Sequence, residues 1–301
     1  MTWGLGFIAT RWTLGSLSPL WLTAVRFVVA VVLALPLLAF LRRRRPGTER
    51  RGAPGQLWLA VFPGLLVAAL LLCQTVGLRH TSVANSSFIT TLYVVMVPLL
   101  QAAWSRKRVP GRHWLLVIVA LLGTALICGV WSHASALSFG DGLTLLAAFF
   151  GAVHILVVDA LGERVGSAFR FNVYQTLWAG LASILAALAL EGWPPLDPAP
   201  WTLRAVVGLL FLVVACTLVG YALQVKSQRS LPPVVASLLF LLESPFATLF
   251  GWLLLAEAVE PAQAAGAGLI FLAAVGAALS GGKASVDLAL AEAPPNVSPH
   301  P

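Results

Sequence analysis

The segment LLFLLESPFATLFGWLLL, residues 238–255, has the length and the apolar character of a helix that crosses a lipid bilayer. Glu243 is its only charged residue. A charged side chain at the centre of a membrane costs about 2.5–3.5 kcal/mol on insertion scales, so this carboxyl group needs a compensating bond or a role. The segment therefore predicts a membrane-spanning helix that carries one structural or functional acid.

The composition of the whole chain supports a lipid environment. Hydrophobic residues make up 59% of the 301 residues, charged residues only 10%, and the mean hydropathy is +0.91. A soluble domain carries about 25% charged residues, a much larger fraction than this chain has. The basic residues that give the net charge of +8 lie mostly in short loops between apolar segments, and this distribution argues against nucleic-acid binding. Cys73, Cys128 and Cys216 lie in apolar stretches without metal-ligand spacing, so we expect no disulfide, metal or cofactor.

Apolar segments separated by Gly, Pro and charged residues predict an all-α polytopic membrane protein with ten transmembrane helices. We place them at residues 2–14, 19–41, 57–78, 82–104, 113–131, 140–161, 171–190, 201–224, 232–255 and 262–281. The Pro-rich residues 282–301 are predicted to form a disordered cytoplasmic tail. If the N-terminus is cytoplasmic, fifteen of the nineteen Lys and Arg residues fall on the cytoplasmic side and three on the other. This distribution predicts that both termini are cytoplasmic.

Two five-helix repeats are visible in the sequence. Aligning residues 1–132 with residues 139–281 places Pro98 opposite Pro245 and Arg26 opposite Gln175. Because each repeat has an odd number of spans, the second enters the membrane inverted, as in many secondary transporters. The first span is truncated relative to the sixth, and we expect either an apolar extension of about ten residues upstream, encoded in frame, or a natural half-helix.

Ionisable residues inside spans are candidates for function. Arg26 is expected either to extend to the external interface or to attract an anionic group in a cavity. His154 is either a neutral histidine bonded to a neighbouring helix or a cavity-lining, proton-linked ligand. Asp159 is expected to be interfacial. Glu243 lies beside the helix break expected at Pro245, and is either a protonated carboxyl bonded to the broken turn or the group that couples transport to protons.

The fourth span, SVANSSFITTLYVVMVPLL, is unusually polar and indicates a hydrated cavity. Uncharged hydrogen-bonding groups on other spans are Gln74, Asn172, Tyr174 and Gln224. We expect the cavity to be bounded by spans one to four and six to nine, with spans five and ten more peripheral. The substrate-cavity residues that we predict are Arg26, Asn85, Ser86, Thr90, Tyr93, His154, Gln175 and Glu243.

The stretches TSVANSSFITTLYVVMVPLL, FGDGLTLLAAFFGAVHILVVDAL and LLESPFATLFGWLLLAE resemble EamA-type permeases of the drug/metabolite transporter superfamily. The resemblance covers residues 2–281 and implies ten helices, cytoplasmic termini and a central cavity that opens alternately to each side of a bacterial cytoplasmic membrane. The family's usual Leu-Glu-Pro is here Leu242-Glu243-Ser244-Pro245.

These observations predict a secondary transporter that moves a small metabolite, amino-acid-like or another small organic solute, by alternating access, as an exporter or exchanger. A non-transporting membrane scaffold or sensor is one alternative. An intramembrane enzyme is another, although the sequence contains no GxSxG or HExxH motif. The partners that we expect are the small-molecule substrate and the bilayer. Proton coupling and the choice between monomer and homodimer stay open.

Overall fold

The protein is described by a computed structural model that covers residues 2–44, 55–81, 83–105, 109–128, 138–194, 201–255 and 259–291. These residues are almost entirely helical, and no strand occurs among them. The α-helices are α1 (Thr2–Thr13), α2 (Pro19–Arg44), α3 (Gln56–Leu59), α4 (Val61–His80), α5 (Val83–Thr91), α6 (Tyr93–Ser105), α7 (Gly111–Cys128), α8 (Phe139–Leu161), α9 (Ala168–Leu190), α10 (Leu203–Phe211), α11 (Tyr221–Ser227), α12 (Pro233–Phe240), α13 (Glu243–Leu255) and α14 (Pro261–Ala291).

Within these ranges, eight helices or stacked helix pairs are long and apolar enough to cross a membrane, and α7 forms a shorter apolar helix at Gly111–Ile127. The eight are Pro19–Phe40, Gln56–His80, Ser86–Trp104, Phe139–Leu161, Ala168–Leu190, Leu203–Ser227, Pro233–Phe250 and Pro261–Ser280. Large apolar side chains such as Leu185 and Leu272 are exposed on the outside of the bundle. These helices and their apolar outer surface indicate a multi-pass membrane protein. Helix α1 has 12 residues and spans about 18 Å, less than the hydrocarbon thickness.

The prediction of ten membrane crossings in two inverted repeats stays a prediction. The last helix differs from its expected bounds, because α14 continues to Ala291, whereas the sequence predicted a disordered tail from residue 282. The final residues 292–301 lie outside the described part of the chain.

Small residues allow the closest helix contacts in the bundle. A Cβ atom placed on Gly140 of α8 would lie 2.6 Å from the carbonyl oxygen of Gly77 in α4, and one on Gly266 of α14 would lie 2.4 Å from that of Gly123 in α7. Only glycine permits this backbone approach. These contacts join α4 to α8 and α7 to α14, and they leave α7 and α14 at the side of the bundle.

Two membrane-spanning segments are interrupted. The fourth predicted span breaks at Leu92, between α5 and α6, and the ninth breaks after Phe240, between α12 and α13. Pro245 lies in the first turn of α13, where its missing N–H group is not needed. The carbonyl of Leu241 instead accepts a bond of 3.1 Å from the Ser244 N–H. Glu243 is therefore the first residue of the helix that follows the break.

A π-helical segment, Leu212–Gly220, joins α10 to α11. The wider helix leaves carbonyl groups that accept bonds from outside the segment. The Asn172 amide on α9 donates to the Thr217 and Leu218 carbonyls, at 2.9 and 3.1 Å. Inside the segment, the Thr217 hydroxyl donates to the Leu212 carbonyl, five residues earlier, at 2.9 Å. Nothing in the sequence pattern predicted this segment, and such deviations are frequent at functional sites.

Candidate functional site: a central cavity with opposite charges

A cavity of about 100 Å³ lies at the centre of the bundle. Its walls come from α1, α2, α4, α5, α6, α8, the π-helical segment, α11, α12 and α13. Among the described residues, α7, α9 and α14 contribute no side chain to the wall. The cavity thus draws on both halves of the sequence, and α9 packs behind the wall as a supporting layer.

Five of the predicted site residues lie in the cavity wall: Arg26, Thr90, Tyr93, His154 and Glu243. Ser86 and Gln175 are fully buried and do not line the cavity. The side chain of Asn85 lies outside the described residues. The structure therefore brings most of the candidates together and assigns Gln175 a position behind His154.

Arg26 presents a positive charge to the cavity. Its side chain is buried, and its Nε–H donates to the Thr217 hydroxyl at 2.8 Å. The two terminal nitrogens form no hydrogen bond within the described part of the chain, and the residue lines the cavity. The contact with Thr217 orients the guanidinium group and leaves its outer edge available to a ligand.

A chain of buried amides holds His154 in one tautomer. Because the Asn172 amide nitrogen donates to two backbone carbonyls, its oxygen must accept, and it does so from the Gln175 amide at 2.9 Å. The Gln175 oxygen then accepts from Nε2–H of His154 at 3.2 Å. Nδ1 of His154 in turn accepts from the Gln224 amide at 3.4 Å. This order assigns a neutral His154 with the proton on Nε2.

The polar face of the fourth span contributes Thr90 and Tyr93 to the cavity wall. The Thr90 hydroxyl donates to the Ser86 carbonyl at 2.7 Å and accepts from the Gln74 amide at 3.1 Å. The Tyr93 hydroxyl and the Ser86 hydroxyl are occluded and have no hydrogen-bond partner in the described structure. Thr90 and Gln74 therefore offer neutral hydrogen-bonding groups to a ligand.

Glu243 lines the cavity together with Trp3, Tyr221 and Phe240, three residues that we call the aromatic cluster throughout. The Trp3 ring centroid is 5.4 Å from that of Tyr221 and 5.5 Å from that of Phe240. Trp3 also donates from its indole N–H to the Cys216 carbonyl at 3.3 Å. The Glu243 carboxyl is buried and makes no hydrogen bond within the described residues, so the bond to the broken turn is not formed here.

A second, more open cavity adjoins the first. Four residues line both of them: Trp3, Gln224, Phe240 and Glu243. The second cavity continues along Lys226, Ser227 and Ser230, at the end of α11. Glu243 and two members of the aromatic cluster thus form the partition between the two spaces.

Sequence reasoning missed the aromatic cluster and Thr217. Trp3, Tyr221 and Phe240 are indistinguishable in sequence from residues that face lipid. Cys73 and Cys216 are free thiols, and the side chain of Cys128 lies outside the described residues. No group of three or more His, Cys, Asp or Glu residues close enough to hold a metal ion occurs in the part of the chain that is described.

A multi-pass helical bundle with a cavity at its centre is an architecture that membrane transporters share. The sequence profile of the EamA-like transporter family matches residues 1–129 and 138–279. The chain belongs to this family.

Curated relatives carry transporter names. The chain is 27% identical over 277 residues to an uncharacterized transporter of Archaeoglobus fulgidus, covering 91% of this chain and 82% of the relative. It is 25% identical over 242 residues to the pseudopaline exporter CntI of Pseudomonas aeruginosa, covering 79% of this chain and 80% of the relative. It is 26% identical over 271 residues to the S-adenosylmethionine/S-adenosylhomocysteine transporter of Chlamydia trachomatis, covering 86% of this chain and 80% of the relative. Together with the family, the names of these relatives support the conclusion that the chain is a membrane transporter.

The fold is shared with a known structure. The chain superimposes on a protein crystal structure with a TM-score of 0.70, over 94% of both chains and at 18% sequence identity. At this identity the similarity concerns the fold.

Proposed function

We propose that this protein is a secondary transporter that moves a small organic solute across the bacterial cytoplasmic membrane by alternating access, as an exporter or exchanger. The observation that carries the proposal is the central cavity, to which both halves of the chain contribute and which presents Arg26 and Glu243 to the same space. The relatives named for pseudopaline and for S-adenosylmethionine support an organic metabolite as the solute.

The proposal includes ten spans in two inverted repeats. The interruptions at Leu92 and after Phe240 support it, because they fall in spans that correspond in the two repeats. Paired interrupted helices at corresponding positions are a feature of transporters with inverted repeats. Reporter fusions test the topology: one after Lys283 should report the cytoplasm, and one in the loop between α9 and α10 the exterior. The opposite result at both sites would contradict the inverted arrangement.

Flux measurements test the transport function. Purified protein in proteoliposomes should exchange radiolabelled amino acids or S-adenosylmethionine faster than protein-free liposomes. Arg26→Gln, which removes the positive charge from the cavity, should reduce that exchange at least about tenfold, equivalent to about 1.4 kcal/mol. Arg204→Gln, at an exposed site on α10, is the control and should keep it. Absence of flux with folded protein for every solute offered would favour the scaffold or sensor alternative.

Proton coupling through Glu243 is tested by Glu243→Gln, which keeps the shape of the side chain but cannot release a proton. If coupling passes through Glu243, the variant should lose pH-dependent net flux and retain substrate exchange. Normal transport across pH would assign the carboxyl a structural or binding role instead. Glu260→Gln, at an exposed site before α14, controls for the loss of a charge.

A further inference from the structure

The central cavity contains a basic and an acidic residue that do not pair with each other. Within the described residues no hydrogen bond or ion pair joins Arg26 to Glu243, although both line this space. Unpaired buried charges are unfavourable, and a bound partner of opposite sign removes the cost. A ligand with one negative and one positive group would satisfy both residues at once.

The surroundings of the two charges differ. Arg26 lies beside Thr217 and offers N–H donors, which suit a carboxylate. Glu243 lines both cavities together with Trp3 and Phe240. Aromatic faces next to a carboxylate attract organic cations, and quaternary ammonium groups are the best-known ligands of such clusters.

The acceptor groups near Glu243 favour a methylated cation over a primary ammonium group. A primary ammonium has three N–H donors that each need an acceptor. The Tyr93 hydroxyl and the Gln224 amide oxygen lack partners, but both atoms are occluded and do not face the cavity. Glu243 and the Tyr221 hydroxyl are the acceptors that line the cavity at the aromatic cluster, and two groups satisfy the three N–H donors of an ammonium less fully than water does. A quaternary ammonium or sulfonium needs no acceptor and gains from the rings.

We propose that the cavity binds zwitterions whose positive pole is a quaternary ammonium or sulfonium group held by the aromatic cluster and Glu243, and whose carboxylate is held by Arg26. The proposal rests on the proposed transport function for its biological meaning. It specifies the substrate class: an onium carboxylate is recognised by charge at both ends and by ring faces at one.

Equilibrium binding to the full-length protein in nanodiscs tests this without a transport assay. The probes are ω-trimethylammonio carboxylates with acid chains of two to six carbons. Each is compared with its carbon isostere, in which a tert-butyl group replaces the trimethylammonium, and with the ω-amino acid of equal length. The best-fitting onium should bind about 30-fold more tightly than its isostere, the ratio that a desolvated cation–π contact of about 2 kcal/mol provides. It should also bind more tightly than the primary amine.

Variants then locate the subsite. Trp3→Leu should weaken binding of the onium about 5- to 30-fold and leave the isostere unchanged. Trp252→Leu, an exposed tryptophan on α13, is the matched control and should change neither. Arg26→Gln should weaken every carboxylate in the series. Size-exclusion profiles verify folding of the variants. The comparison among ligands that bind the wild-type protein stands even if a variant fails to fold.

Several outcomes would overturn the proposal. They are equal binding of onium and isostere, tighter binding of the primary amine, equal effects of Trp3→Leu and Trp252→Leu, and no binding by any onium probe. The result is separable from the transport function. Flux of other solutes without onium binding would refute the substrate class alone, whereas onium binding without flux would refute transport and keep the site.

Discussion

Replacing Asn172 by leucine should destabilise the protein, because Asn172 anchors the π-helical segment to α9. The side chain is fully buried and makes three hydrogen bonds: two to the Thr217 and Leu218 carbonyls and one with the Gln175 amide. Leucine has a similar branched shape but no polar atom, so all three bonds are lost.

The expected magnitude follows from those bonds. Hydrogen bonds between membrane helices contribute about 0.6 kcal/mol each on average, so the two bonds to the π-helical segment account for about 1.2 kcal/mol. Leaving two buried carbonyls without donors raises the cost toward about 3 kcal/mol. The free energy of unfolding should therefore fall by about 2–3 kcal/mol, measured by titration with sodium dodecyl sulfate in mixed micelles and followed by circular dichroism.

Thr176→Val is the matched control. Thr176 lies one turn further along α9, is equally buried, and donates only to the Asn172 carbonyl of its own helix, at 2.7 Å. Its loss should cost under about 1 kcal/mol. If Asn172→Leu lowers the free energy of unfolding by no more than Thr176→Val does, the bonds to the π-helical segment do not stabilise the fold and the reasoning is wrong.

Two further predictions concern packing and access. Gly140→Ala places a Cβ atom 2.6 Å from the Gly77 carbonyl oxygen and should lower the free energy of unfolding by about 1–3 kcal/mol. Gly142→Ala, with open space around it, is the control and should be neutral or stabilising by up to about 1 kcal/mol. Equal effects of the two in thermal unfolding would contradict the close α4–α8 contact. In cysteine labelling with a charged thiosulfonate, Thr90→Cys in the cavity wall should react and Leu92→Cys should not, and equal labelling of both would argue against a hydrated cavity at this face.

Much of the architecture followed from local properties of the chain. In lipid every backbone polar group must be bonded within its own segment, so apolar runs of about 20 residues become helices whatever surrounds them. For the same local reason Pro245 predicts the break beside Glu243. The polar fourth span and the ionisable residues within spans predict that Arg26, Thr90, Tyr93, His154 and Glu243 face the cavity, because polar side chains are too costly to face lipid.

The tertiary structure alone decided which of these groups meet. Trp3 and Phe240 are in ring contact although 237 positions separate them, and no periodicity in sequence encodes such a pair. The π-helical segment depends on donors from α9, so its sequence alone cannot indicate it. Gln175 has the residue type of a ligand-binding group, yet it supports His154 from behind the wall, because whether a polar side chain faces a cavity or a neighbour depends on how the helices are rotated against each other.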